Sequence, residues 1–155
     1  MTLRADAGGR SRDRWDEVLA VNLTGPFLCC QAAQDWLVDG GRIVLVGSLA
    51  GRTGDVVTGT AYAVSKGGVE SLTKSLAQEL APRRITVNCV APGGVDTPML
   101  AQNSPEAQEA LRAATPLKRM ATADEIASAI LFLASEGAAY ITGAVLPVNG
   151  GVRMD

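Results

Sequence analysis

Histidine is absent from the 155 residues, and cysteine occurs only three times, as Cys29, Cys30 and Cys89. Without imidazole there is no Ser-His or Cys-His nucleophile, and most zinc sites are excluded. Two adjacent cysteines in a helical stretch, and an odd total, argue against a disulfide framework and for free thiols in a reducing compartment. The segment around Ser48 is no nucleophile elbow, because Val46 stands where G-x-S-x-G requires glycine. Charge is balanced, with 14 Lys and Arg against 16 Asp and Glu and no run of one sign. That balance offers neither nucleic acid nor an anionic membrane surface an electrostatic footprint. No stretch approaches the roughly 18 consecutive apolar residues of a membrane span. The opening MTLRADAGGR has no apolar core and is not a signal peptide. The expected compartment is the cytoplasm, and any catalytic proton must travel through Tyr, Lys, Asp, Glu or water.

The hydrophobic pattern alternates helices with short apolar runs. A helix is predicted over residues 11–37, capped by Ser11 or Asp13, interrupted at 24–26 and ended by Gly40-Gly41. The run from Arg42 to Ser48 reads as a buried parallel strand. Residues 49–59, rich in Gly and Thr, read as a loop. A second long helix is predicted over 60–81, closed by Pro82, with Val69, Leu72, Leu76 and Leu80 on one face. Ile85–Val90 is a second strand, ended by Ala91-Pro92-Gly93-Gly94. A lid-like region covers about 98–119, where Ser104-Pro105 opens a short helix. Thr122-Ala123-Asp124-Glu125 matches a capping box and starts a helix through Ile126, Ile130 and Leu133 that Gly137 stops. Ala144–Val148 is a third strand, expected near an edge because Pro147 cannot donate to a ladder. This order predicts an α/β parallel sheet in one unit over residues 1–155. Three strands buried on both faces would leave the first with a long apolar edge, so the pattern reads as the second half of a larger sheet.

Tyr62-Ala63-Val64-Ser65-Lys66 opens the second long helix. Residues i and i+4 share a helical face, so Tyr62 and Lys66 are neighbours. A free tyrosine has a pKa of about 10, and a nearby ammonium stabilises the phenolate and lowers it. Such a tyrosine could take a proton from an alcohol or return one to a carbonyl. Alone, the pair is more readily a surface tyrosine beside a solvated lysine, since such pairs arise often by chance. Ser48 adds context, because it lies at the carboxyl end of the preceding strand, where ligands bind in open α/β sheets; by itself it could simply terminate a strand.

Ser48, Tyr62-x-x-x-Lys66 and strand–Pro92–Gly93–x–Val95–x–Thr97 together resemble the short-chain dehydrogenase/reductase family. So do WDEVLAVNLTGPF, VNCVAPGGVDTPM, PLKRMATADEIASAILFLAS and the closing Val148-Asn149-Gly150-Gly151. The resemblance runs from Trp15 to Gly151 and is nearest to 3-oxoacyl-carrier-protein reductases and related 3-ketoacyl or hydroxysteroid reductases. It implies the carboxyl-terminal part of a Rossmann-like doubly wound parallel sheet, and hydride transfer between NAD or NADP and a carbonyl or secondary alcohol. It implies Tyr62 as acid/base, Ser48 as hydrogen-bond partner of the substrate oxygen, and Lys66 as the group that lowers the Tyr62 pKa and holds the nicotinamide ribose. Pro92, Gly93, Val95 and Thr97 match the loop that holds the nicotinamide carboxamide, although Pro92-Gly93 could be only a turn. A homo-oligomer, dimer or tetramer, is also implied, through helices 11–37 and 60–81.

The family's amino-terminal half carries a glycine-rich fingerprint for the cofactor pyrophosphate. No two of the 17 glycines here are separated by a single residue, so G-x-G occurs nowhere. Three expectations follow: a truncated piece of an active reductase that is inactive by itself, a non-catalytic module that oligomerises, or a fragment without a stable fold. NAD and NADP are not told apart by the residues present.

The segment VNLTGPF places Asn, Thr, Gly and Pro inside a helix, where they are poor formers. Proline lacks an N–H, so Pro26 cannot donate to the carbonyl of Asn22. In the family the matching asparagine completes the catalytic set at a kink, its carbonyl holding a water linked to the lysine. The resemblance therefore implies Asn22 as the fourth catalytic position; the alternative is an ordinary proline kink with Asn22 as packing.

Overall fold

The computed structural model describes residues 11–54, 59–98 and 100–154. The decapeptide Met1–Arg10 and the centre of the Gly- and Thr-rich loop lie outside the described residues. Three parallel strands, β1 (Arg42–Val46), β2 (Thr86–Pro92) and β3 (Val145–Val148), form a sheet in the order β1-β2-β3. Val46 pairs with Val90 and Pro92 with Val148, which aligns the carboxyl ends of the strands. Pro147 sits on an edge strand, where its missing N–H costs no ladder bond on the open side.

Side chains of β2 alternate between two cores. Val87 and Cys89 point into a cluster with Leu45, Val69, Leu76, Ala77, Leu80 and Cys30, built on α4 (Thr60–Leu80). Val90 faces the opposite cluster with Ile126, Leu133 and Ala138, built on α6 (Ala123–Ala134). The central strand is therefore buried on both faces, including its polar Thr86 and Asn88. Asn88, also fully buried, donates to the Ile141 carbonyl at 2.8 Å and accepts from the Ala144 N–H at 3.1 Å. Its amide thus fastens the turn before β3 to the central strand.

The helix predicted over 11–37 is three pieces: α1 (Arg12–Leu19), a π-helical segment (Ala20–Thr24) and α2 (Gly25–Ala33). It stops well before Gly40 because Arg83 takes over the terminal carbonyls, donating to Gln34 O at 2.8 Å and also to Leu37 O. Cationic donors at a helix carboxyl end satisfy groups that the next turn would otherwise serve. Strand β1 ends at Val46 rather than Ser48, and β2 runs on to Pro92. The loop after β1 contains a short helix, α3 (Ala50–Thr53). Ser104 caps α5 (Pro105–Ala114), and Thr122 with Glu125 forms the predicted capping box of α6. That helix ends at Ala134, ahead of Gly137, where the Ser135 hydroxyl donates to Phe132 O.

Candidate active site

The carboxyl ends of the strands gather the residues singled out by pattern. Ser48 follows β1 by two residues, and its Oγ accepts from the Ala50 N–H at 3.2 Å. The peptide segment carrying it is fixed to the next strand, because Gly47 N–H donates to Val90 O and Leu49 N–H to Pro92 O. Beyond β2, Gly93 N–H donates to Val148 O, and Val95 bridges to Ala121. The Thr97 hydroxyl donates to Val95 O at 3.3 Å.

Tyr62 and Lys66 lie one turn apart near the start of α4, with the Lys66 Nζ 5.8 Å from the centre of the Tyr62 ring. That is within the range at which an ammonium is attracted to an aromatic face. Nζ also donates to the Val46 carbonyl at 2.8 Å. Burial depresses the Lys66 pKa below its usual value, while the nearby Cys89 sulfur acts in the opposite direction.

Asn22 is buried, and its side-chain amide donates to Ser65 Oγ at 3.3 Å. Ser65 in turn donates to the Tyr62 carbonyl at 2.7 Å. The asparagine is therefore tied to α4 between Tyr62 and Lys66, through a serine that the pattern did not single out. Asn22 occupies the centre of the π segment, whose register is shown by Gly25 N–H donating to Ala20 O. π-bulges in α-helices are frequent at functional sites. Gly25 is held at φ −56° and ψ −55° immediately before Pro26. Steric conflict with the proline ring disfavours this region for a residue with a Cβ, which accounts for glycine.

Two further glycines explain how three helices converge here. A Cβ on Gly51 would lie 2.7 Å from Gly67 N and 2.8 Å from Lys66 C, so α3 rests directly on the Lys66–Gly67 peptide. A Cβ on Gly68 would lie 2.8 Å from Leu23 Cδ2, so the π segment is seated on the next residue of α4. Gly67-Gly68 inside a helix costs about 1 kcal/mol per residue against alanine. This adjacent pair was the available signal that backbone approaches closely beside the lysine. The remaining cross-link is Arg52 to Glu70, whose Nε donates to both carboxylate oxygens at 3.1 and 2.9 Å with both side chains largely buried.

Ser48, Tyr62, Lys66 and the π-turn Asn22 thus lie on elements that meet at the carboxyl side of a parallel sheet covered by helices on both faces. The family model described as enoyl-(acyl carrier protein) reductase matches residues 2–153. The 3-oxoacyl-[acyl-carrier-protein] reductase of Aquifex aeolicus is 46% identical over 144 residues, covering 89% of this chain and 56% of that protein. The crystal structure of 3-oxoacyl-[acyl-carrier protein] reductase from Brucella melitensis superposes with a TM-score of 0.89 at 37% identity, over 94% of this chain and 55% of that one. A blue fluorescent protein from a metagenomic library, solved in complex with NADPH, gives a TM-score of 0.91 at 34% identity, over 99% and 62%. The chain belongs to the short-chain dehydrogenase/reductase family of NAD(P)-dependent oxidoreductases. It spans a little over half the length of the relatives it matches.

Proposed function

We propose that these residues form the carbonyl and nicotinamide half of a short-chain reductase, with a 3-oxoacyl thioester as the substrate class. The supporting observation is the position of Lys66, bonded to Val46 O and poised beside the Tyr62 ring. In this reading Tyr62 gives its phenolic proton to the substrate oxygen as hydride reaches the carbon. Ser48 uses its Oγ lone pair for the Ala50 N–H, leaving its O–H to donate to the same oxygen and stabilise developing charge. Lys66 supports the phenolate and holds the ribose hydroxyls, and Asn22 offers its carbonyl to a water leading to Lys66. Pro92, Gly93, Val95 and Thr97 present the backbone that receives the carboxamide. The cofactor is NADP or NAD; bound, it supplies the hydride. The NADPH complex of one structural neighbour and the NADP complex of another, an angucycline C-6 ketoreductase, favour NADP.

The chain also self-associates in this reading and acts in the cytoplasm. Val21, Leu28 and Val64 are about half exposed on the π segment, α2 and α4, an apolar surface suited to a second copy. Among the described residues no helix is long and apolar enough to cross a membrane.

The test is reduction of an acetoacetyl thioester by NADPH. It is run with the 155-residue chain alone and with the chain joined to the part of the Aquifex reductase that the match leaves out. Tyr62→Phe should lower turnover of the active form about 100-fold or more. Near wild-type turnover by that variant would overturn the assignment.

A further inference from the structure

Residues 115–125 run alongside the loop after β2 and carry one bidentate ion pair. The Arg119 guanidinium grips the Glu125 carboxylate with two bonds of 2.8 and 2.5 Å. The same Nη1 that meets Glu125 also donates to Met120 O at 3.1 Å. Glu125 accepts in addition from the Thr122 N–H at 2.8 Å as part of the capping box. Upstream, Lys118 is left-handed with φ of 56°, an uncommon conformation for a side chain-bearing residue, and turns the chain into this grip.

The strip so fixed holds the loop after β2. Ala121 N–H donates to Gly94 O at 3.0 Å, and Asp96 N–H to Ala121 O at 2.8 Å, one rung on each side of Val95. The buried Met120 lies against Gly94, where a Cβ would run into its sulfur. Leu117 N–H donates to Gly150 O, tying the strip to the turn after β3. A cavity of about 110 Å³ opens between these segments, lined by Gly94, Thr115, Leu117, Val148 and Asn149 beside the ion pair. Arg119 and Glu125 are each about half exposed, so their attraction adds little to global stability. Bidentate geometry nonetheless fixes direction, and here it fixes the backbone that pairs with Gly94–Asp96.

We propose that Arg119 and Glu125 are positioning residues for the Gly93–Thr97 loop, holding its backbone in the register that receives the nicotinamide end of the cofactor. This rests on the reading of that loop given under the proposed function. The 155-residue chain is tested as wild type, Arg119→Leu, Glu125→Gln and the double variant; glutamine preserves the capping box while removing the carboxylate. Amide hydrogen exchange at Asp96 and Ala121 should accelerate about tenfold in each variant, with the β1–β2 amides unchanged. Binding of reduced nicotinamide mononucleotide should weaken about fivefold in each, and no further in the double variant. Lys66→Met serves as the control that this binding uses the site.

Unchanged exchange at Asp96 and Ala121 would overturn the inference whatever the ligand does. Faster exchange with unaltered, Lys66-dependent binding would also overturn it, leaving the function assignment intact. Binding that is absent, or indifferent to Lys66→Met, would instead overturn the reading of the site and the positioning role with it.

Discussion

Lys66 Nζ donates to the Val46 carbonyl at 2.8 Å, joining the second turn of α4 to the last residue of β1. The ammonium is thereby anchored at the sheet edge while its stem runs beside Tyr62. Burial nevertheless makes the charged form less favourable in the folded chain than in the unfolded one.

That cost has a measurable sign. Between the depressed folded pKa of Lys66 and its usual 10.5, the folded chain carries fewer protons than the unfolded chain. Stability contributed by this residue therefore rises with pH through that window. Cys89 and Cys30 act oppositely, because burial pushes both thiols above 9.0 and stability falls as pH passes that value. Comparing wild type with Lys66→Met in urea unfolding isolates the lysine. The difference should shift in favour of wild type as pH approaches 10.5. A pH-independent difference would contradict the burial of the ammonium.

Gly51→Ala tests the contact of α3 with α4. The added methyl would sit 2.7 Å from a backbone nitrogen and 2.8 Å from a backbone carbon, neither of which can rotate away. We expect a loss of about 1–3 kcal/mol, the usual cost of overpacking, and displacement of the segment carrying Ser48. Denaturant midpoints measure the first effect, and amide shifts at Leu49 and Ala50 the second. A variant as stable as wild type would mean that α3 does not rest on Lys66–Gly67.

Much of this arrangement was legible in the residues. The nearness of Tyr62 and Lys66 follows from helical spacing and the place of Ser48 from the strand end, while their roles come from the family resemblance; the Thr122–Glu125 capping box follows from four consecutive residues. The apolar run of β1 reads as a strand buried on both faces, yet it is β2, with Thr86 and Asn88 inside it, that is buried throughout, because it is the central strand. What was not legible depends on partners distant in sequence. The early end of α2 is set by Arg83, more than forty residues away, and the close seating of Leu23 on Gly68 joins segments far apart in sequence. A single breaker such as Pro26 signals an interruption without saying whether it becomes a kink or a wider turn. Ser65 escaped because a serine inside a helix carries no distinguishing pattern until Asn22 is placed against it.

Arg52 and Glu70 are an ion pair whose members should fail separately and succeed together. Arg52→Leu leaves the buried Glu70 carboxylate without its guanidinium and should cost about 3 kcal/mol. Glu70→Leu should cost a similar amount by the converse argument. The double variant should be less destabilised than the sum, because the desolvation penalty leaves with both charges. Strict additivity in urea unfolding would show that the two groups do not act as a pair.

Pro26→Ala separates the stability of the α1–π–α2 segment from its chemistry. Alanine restores an N–H at the position whose α-helical acceptor is the Asn22 carbonyl, and removes a ring that restricts Gly25. Helix propensity favours alanine by up to about 3 kcal/mol in an interior, less here because Pro26 lies at the start of α2. The variant should therefore unfold at higher urea concentration. If the Asn22 carbonyl serves a water leading to Lys66, the new N–H competes for that carbonyl, and the catalytically complete enzyme should lose kcat with KM unchanged. Gain of stability with loss of turnover is the signature of a helix kept imperfect for proton transfer. Higher stability with full turnover would assign Asn22 to packing through Ser65 alone.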